Sequence, residues 1–212
     1  MELFRLRGLV GAALVAFSLT AATAPVSVLV TLYLQDTLGY SASFAGLTGL
    51  PLSLCVIAGS VLGGRIAGRL GGRTTMSLGL AIVTASALVT AGITAKSGVA
   101  YVLAGAALAG LGLGCASVAS TARGTSAVEE EDRGLASGFM NTSAQVGTAL
   151  GLAALTSLAA ARTAALPGGS GSVAEAVVAG YRFAFLVAAG VASLGVAAAL
   201  YFFRQAEAPR KR

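Results

Sequence analysis

Six uninterrupted apolar runs, at residues 10–34, 44–63, 74–95, 99–122, 134–161 and 183–203, fill most of this chain, and the charges are confined to the segments between them. A helix rises about 1.5 Å per residue, so roughly 20 residues cross a hydrocarbon core about 30 Å thick. Every run is long enough, and none contains Asp, Glu, Lys or Arg. In lipid a segment must satisfy its own backbone hydrogen bonds, which leaves only helices. A soluble globule is excluded on composition, because 56% apolar and 10% charged residues cannot clothe 212 residues in water. The expected fold class is an all-α membrane protein of six transmembrane helices, one domain over residues 1–203 followed by a basic tail at 204–212.

Basic residues set the orientation. With the N-terminus inside, eleven of the 14 Lys and Arg fall on the cytoplasmic side and only Lys96, Arg162 and Arg182 fall outside. In short loops that bias decides topology. Both termini are therefore expected in the cytoplasm, with the chain multi-pass in the cell's inner (plasma) membrane. Arg5 and Arg7 ahead of Ala22-Thr23-Ala24 imitate a secretory signal. The apolar run continues to Leu34, however, and removing it would leave spans that break the inside rule, so cleavage is not expected. Tyr33, Tyr40, Tyr101, Tyr181 and Tyr201 all sit near run ends, where an amphipathic ring favours the headgroup layer.

Several function classes fall away on residue types. A net charge of +6 is spread over separate loops, which fits the lipid bilayer as a partner and gives no nucleic-acid surface. With no histidine, His-based proton relays, Ser/His catalysis and His metal sites are ruled out. Cys55 and Cys115 lie inside spans, where a thiol acts as a small hydrophobe. No catalytic group, metal site or cofactor is expected, and the chain does not read as an enzyme. No titratable group inside a run could carry a proton across the bilayer.

The segment 63–73 joins two spans through a short turn that glycine permits by positive φ, and Gly59, Gly63, Gly64, Gly68 and Gly72 recur at fourfold spacing suited to close helix packing. Within it Gly64, Arg69, Gly71 and Arg73 resemble the loop motif of the major facilitator superfamily, with Gly68 where that motif carries aspartate and Gly72 where it carries arginine. The resemblance covers nearly the whole chain. Tyr33-Leu34-Gln35, Leu38-Gly39-Tyr40-Ser41, Ala45-Gly46-Leu47 and Leu50-Pro51 look like the first two helices of the C-terminal half of drug–proton antiporters in the fourteen-helix branch. Gly110-Leu111-Gly112-Leu113-Gly114, the run from Arg133 to Gly138, Asn141-Thr142 and Gln145-Val146-Gly147 look like its fourth and fifth. The resemblance implies a six-helix half built from two inverted three-helix repeats, exporting drugs or amphiphilic small molecules by proton antiport. It also implies a partner, either the missing N-terminal transporter half or a second copy of this chain.

In such a fold the first helix of each triplet lines the central path. Thr20, Thr23, Ser27 and Thr31 form one stripe on the first span, while the last span has only Ser193 in its interior. Asn141 and Gln145 stand one turn apart on the fifth, and amides in a span are costly without partners or water. These six are the expected substrate-cavity residues. The alternative for each is an interhelical hydrogen bond, worth about 0.6–2 kcal/mol. Glu129, Glu130, Glu131 and Asp132 form the acidic cluster before span five. They either complement that helix's N-terminus or act as gating acids that pair with Arg65, Arg69 or Arg73. Two further functions stay open: a self-assembling six-helix permease for another small solute, and a structural or regulatory membrane protein that transports nothing.

Overall fold

The computed structural model describes residues 2–94, 97–165 and 173–203, with side chains from Arg7 onward. Lys96 and the tail 204–212 lie outside the described residues. Helix α1 (Glu2–Leu32) runs into a π-helical turn, Tyr33–Thr37. It is followed by the short α2 (Ala42–Leu47) and by α3 (Gly49–Leu70), α4 (Gly72–Thr90), α5 (Val99–Ser126), α6 (Arg133–Ala164) and α7 (Val173–Phe202). Taking α2 with α3 as one, six segments are long and apolar enough to cross a membrane.

The helices overrun the apolar runs, because the run marks what lipid tolerates and the helix continues wherever its neighbours support it. α7 begins at Val173, ten residues before the run, so Arg182 sits inside a helix. There its Nε donates to Ala91 O at 2.9 Å, beyond the last turn of α4. The second span is broken at Thr48, where α2 ends and α3 starts. The α3–α4 turn is tighter than the sequence implies: only Gly71 lies outside a helix, and its φ of 83° is a value that favours glycine.

The six spans form two layers. The front layer runs α3, α5, α1, α6, and the back layer is α4 and α7, with α4 under α5 and α7 under α1 and α6. This is the arrangement of two inverted repeats, α1 with α2–α3 and α4, then α5, α6 and α7, in which α3 packing on α5 has its mate in α6 packing on α1. Glycine makes both pairings close. Gly59 and Gly63 abut the backbone at Leu111 and Cys115, and a Cβ on Gly63 would stand 2.8 Å from Cys115 Cα. Gly110 and Gly114 return the contact toward Leu52, Cys55, Val56 and Ser60. In the mate, Gly147 and Gly151 sit against Phe17 and Ala21. Pro25 has no N–H to offer the Ala21 carbonyl, and it is there that α6 approaches α1.

A few hydrogen bonds lock the layers. Ser86 Oγ, buried, donates to Gly105 O at 2.8 Å and ties α4 to α5. Tyr33, expected near the headgroup layer, is fully buried among its protein neighbours. Its phenol turns inward because two loop carbonyls accept from it, Thr94 O at 2.7 Å and Ser97 O at 3.2 Å. Tyr181 is also buried in the bundle, whereas Tyr40, Tyr101 and Tyr201 are exposed.

Candidate substrate cleft

The near end of the bundle holds the N-terminus, the α3–α4 turn and the α5–α6 connection. The far end holds the α1–α2, α4–α5 and α6–α7 connections. At the far end α1 and α3 diverge over α5, leaving a cleft of about 210 Å³. Its floor is Gly105, Ala106 and Ala109 of α5, where small residues leave room. One wall is α1 through Thr23, Val26, Ser27, Val30 and Thr31, and the other is Ala45–Leu52 of α2 and α3, with Thr90 of α4 closing the end.

Of the hydroxyls on the α1 stripe, Thr23, Ser27 and Thr31 line this cleft. Thr20 does not. It donates to Ala144 O of α6 at 2.6 Å, an interhelical bond of the kind that holds spans in register. Asn141 and Gln145 are exposed on α6, on the other side of α1 from the cleft. Thr48 and Thr90 are cleft residues that sequence reasoning passed over. The Thr-Gly-Leu-Pro stretch at 48–51 carried the signal for Thr48, because it breaks the second span there.

The inverted repeat gives the cleft a counterpart at the near end, between the last turns of α5, the start of α6 and the start of α1. There Met140 of α6 fills the space, its sulfur against Gly124 of α5 and Ala12 of α1 close by. One cleft is open and its counterpart is packed shut.

The near end collects the loop-motif residues. Gly64 and Gly68 have nothing within reach of a Cβ, and Arg69 is exposed. Arg73 is partly buried, with its Nε lacking a hydrogen-bond partner, and the Arg123 side chain lies over Gly72. Glu129, Glu130, Glu131 and Asp132 are exposed. Asp132 occupies the N-cap of α6 without a side-chain cap bond, and Glu130 stands 3.9 Å from Arg133 across one helical turn.

A model of the Major Facilitator Superfamily matches residues 9–212. The chain belongs to that superfamily. Membership places it in a transporter family and not in an enzyme family. It is 35% identical over 133 residues to the multidrug resistance protein Stp of Mycobacterium tuberculosis, covering 63% of this chain and 25% of that protein. It is 35% identical over 172 residues to the puromycin resistance protein pur8 of Streptomyces alboniger, covering 76% and 34%. The solved structure of the proton:xylose symporter XylE bound to 6-bromo-6-deoxy-D-glucose superposes with a TM-score of 0.71 at 18% identity, over 96% of this chain and 47% of that one, a likeness of fold. The matched stretch is thus a quarter to a third of those curated relatives and about half of the symporter.

Proposed function

We propose that the chain is the C-terminal six-helix half of a drug exporter of the plasma membrane, with both termini cytoplasmic, moving amphiphilic small molecules outward in exchange for protons. The observation that carries this reading is the front layer. α3 and α6 are the least enclosed spans, and the open face of α6 bears Asn141 and Gln145. Acyl chains solvate amides poorly, so a second protein body across a watery path is the better neighbour. Similarity to half of a solved transporter, and to proteins named for drug resistance, supports the missing N-terminal half as that body and a drug as the cargo.

In this reading Thr23, Ser27 and Thr31, together with Asn141 and Gln145, form one wall of the path, and Thr20 holds α6 in register. Apolar walls with few neutral polar groups suit amphiphiles better than sugars, which need many directed hydrogen bonds. The proton-carrying carboxylate belongs to the other half, since no apolar run here holds an acid. Glu129 to Asp132 and Arg65, Arg69 and Arg73 serve as a cytoplasmic latch, several weak exposed pairs acting together.

The test uses cells stripped of their own pumps. The chain expressed with a six-helix N-terminal half should lower puromycin accumulation, and a protonophore should abolish the effect. Full accumulation in the completed transporter, or efflux indifferent to the proton gradient, overturns the reading. Efflux from this chain alone, in dimer-sized particles, would give the front face to a second copy instead.

A further inference from the structure

Four of the five hydroxyls around the far-end cleft have already committed their hydrogens. Thr23 Oγ1 donates to Leu19 O at 2.8 Å, Thr31 Oγ1 to Ser27 O at 3.0 Å, Thr48 Oγ1 to Ala45 O at 2.6 Å and Thr90 Oγ1 to Ser86 O at 2.8 Å. Thr23, Thr31 and Thr90 return their bonds to their own helices, as helical threonines do, and Thr48 bonds back to the end of α2. A hydroxyl has one hydrogen and two lone pairs, so these four offer a guest acceptor capacity and no donor. Ser27, exposed at the mouth, keeps its hydrogen free to turn. The remaining lining is Val, Leu, Ala and Gly, with no ionisable side chain. The cleft is therefore polar in one sense only, rich in lone pairs and poor in hydrogens.

We infer that the cleft takes the primary amine head of an apolar small molecule, an N–H directed at Thr31 Oγ1 and its body against Val26, Val30 and Leu52. This rests on reading the cleft as part of the substrate wall, and it narrows the class of cargo. A carboxylate brings only more lone pairs to oxygens that have none of their hydrogens to give, and a quaternary ammonium brings charge without N–H. A primary amine brings two or three donors on one nitrogen, one of which meets Thr31 Oγ1. The size, about 210 Å³, admits a one-ring guest or one end of a larger one.

The experiment is a calorimetric titration of the full chain in lipid nanodiscs, with empty nanodiscs as blank, using 2-phenylethylamine, its N,N,N-trimethyl analogue and 3-phenylpropionate. The primary amine should bind at least about fivefold more tightly than the quaternary analogue, and the carboxylate most weakly, since each well-placed hydrogen bond is worth roughly that factor. Thr31→Val, of nearly equal volume, should weaken the amine about three- to tenfold and leave the quaternary analogue unchanged. Thr31→Ser should keep the amine's affinity, which separates a lost oxygen from a lost fold. Equal binding of the two cations, tighter binding of the carboxylate, no amine binding, or indifference to Thr31→Val overturns the inference. Efflux by the completed transporter without amine preference in this chain would sink the inference alone. Amine binding here without efflux would sink only the export reading.

Discussion

Residue by residue, the side chains that matter most are those whose partners lie far away in sequence. Tyr33 looks, by position, like an interfacial anchor, but its hydroxyl ties the π-helical end of α1 to the α4–α5 connection. Tyr33→Phe keeps the ring and removes the phenol hydrogen that Thr94 O and Ser97 O accept. It should lower the melting stability of the protein in detergent by about 1–2 kcal/mol with helix content unchanged. An unshifted melt would mean that the hydroxyl contributes nothing. Thr20→Val removes the bond to Ala144 O and should cost less, about 0.6–1.7 kcal/mol, the range found for hydrogen bonds between membrane helices. In the export reading it should also leave substrate preference alone, and a shift in preference would place Thr20 on the path.

At the scale of the helices, packing rests on the absence of side chains. Gly63 leaves no room for a Cβ against Cys115, so Gly63→Leu must push α3 off α5. Overpacking of this kind costs about 1–3 kcal/mol, read as a lowered midpoint in denaturing detergent. Gly64→Leu, one residue on and facing open space, should leave the midpoint within error. If the two variants behave alike, the close α3–α5 contact is wrong. The spans themselves were legible because lipid imposes one rule on every residue it touches, and apolar runs record it. Helix ends were not, since beyond the lipid they depend on neighbours: α7 extends back past Arg182, whose Nε finds Ala91 O just beyond α4. The cleft was half legible. The α1 stripe announced Thr23, Ser27 and Thr31 by helical spacing, but the divergence of α1 from α3 and the small floor at Gly105 and Ala106 belong to tertiary packing. The same stripe put Thr20 on a different neighbour, because a face of α1 wide enough for four hydroxyls meets more than one helix.

For the whole molecule, the two layers sort polarity. The back helices α4 and α7 enclose the core, and the front layer leaves α3 and α6 open, with amides on one of them. In the proposed exporter the near-end acids and arginines close the cytoplasmic side, so Arg69→Glu should change transport rate without changing membrane insertion. Unchanged transport at several ionic strengths would retire that latch. In the proposed exporter the front faces a watery path and the back faces lipid. The most direct measurement labels single cysteines, Asn141→Cys or Leu194→Cys in a Cys55→Ala, Cys115→Ala background, with a water-soluble maleimide in membranes holding the completed transporter. Fast reaction is expected at position 141, slowed by bound substrate, and none at position 194. Silence at 141, or equal labelling at both, contradicts it.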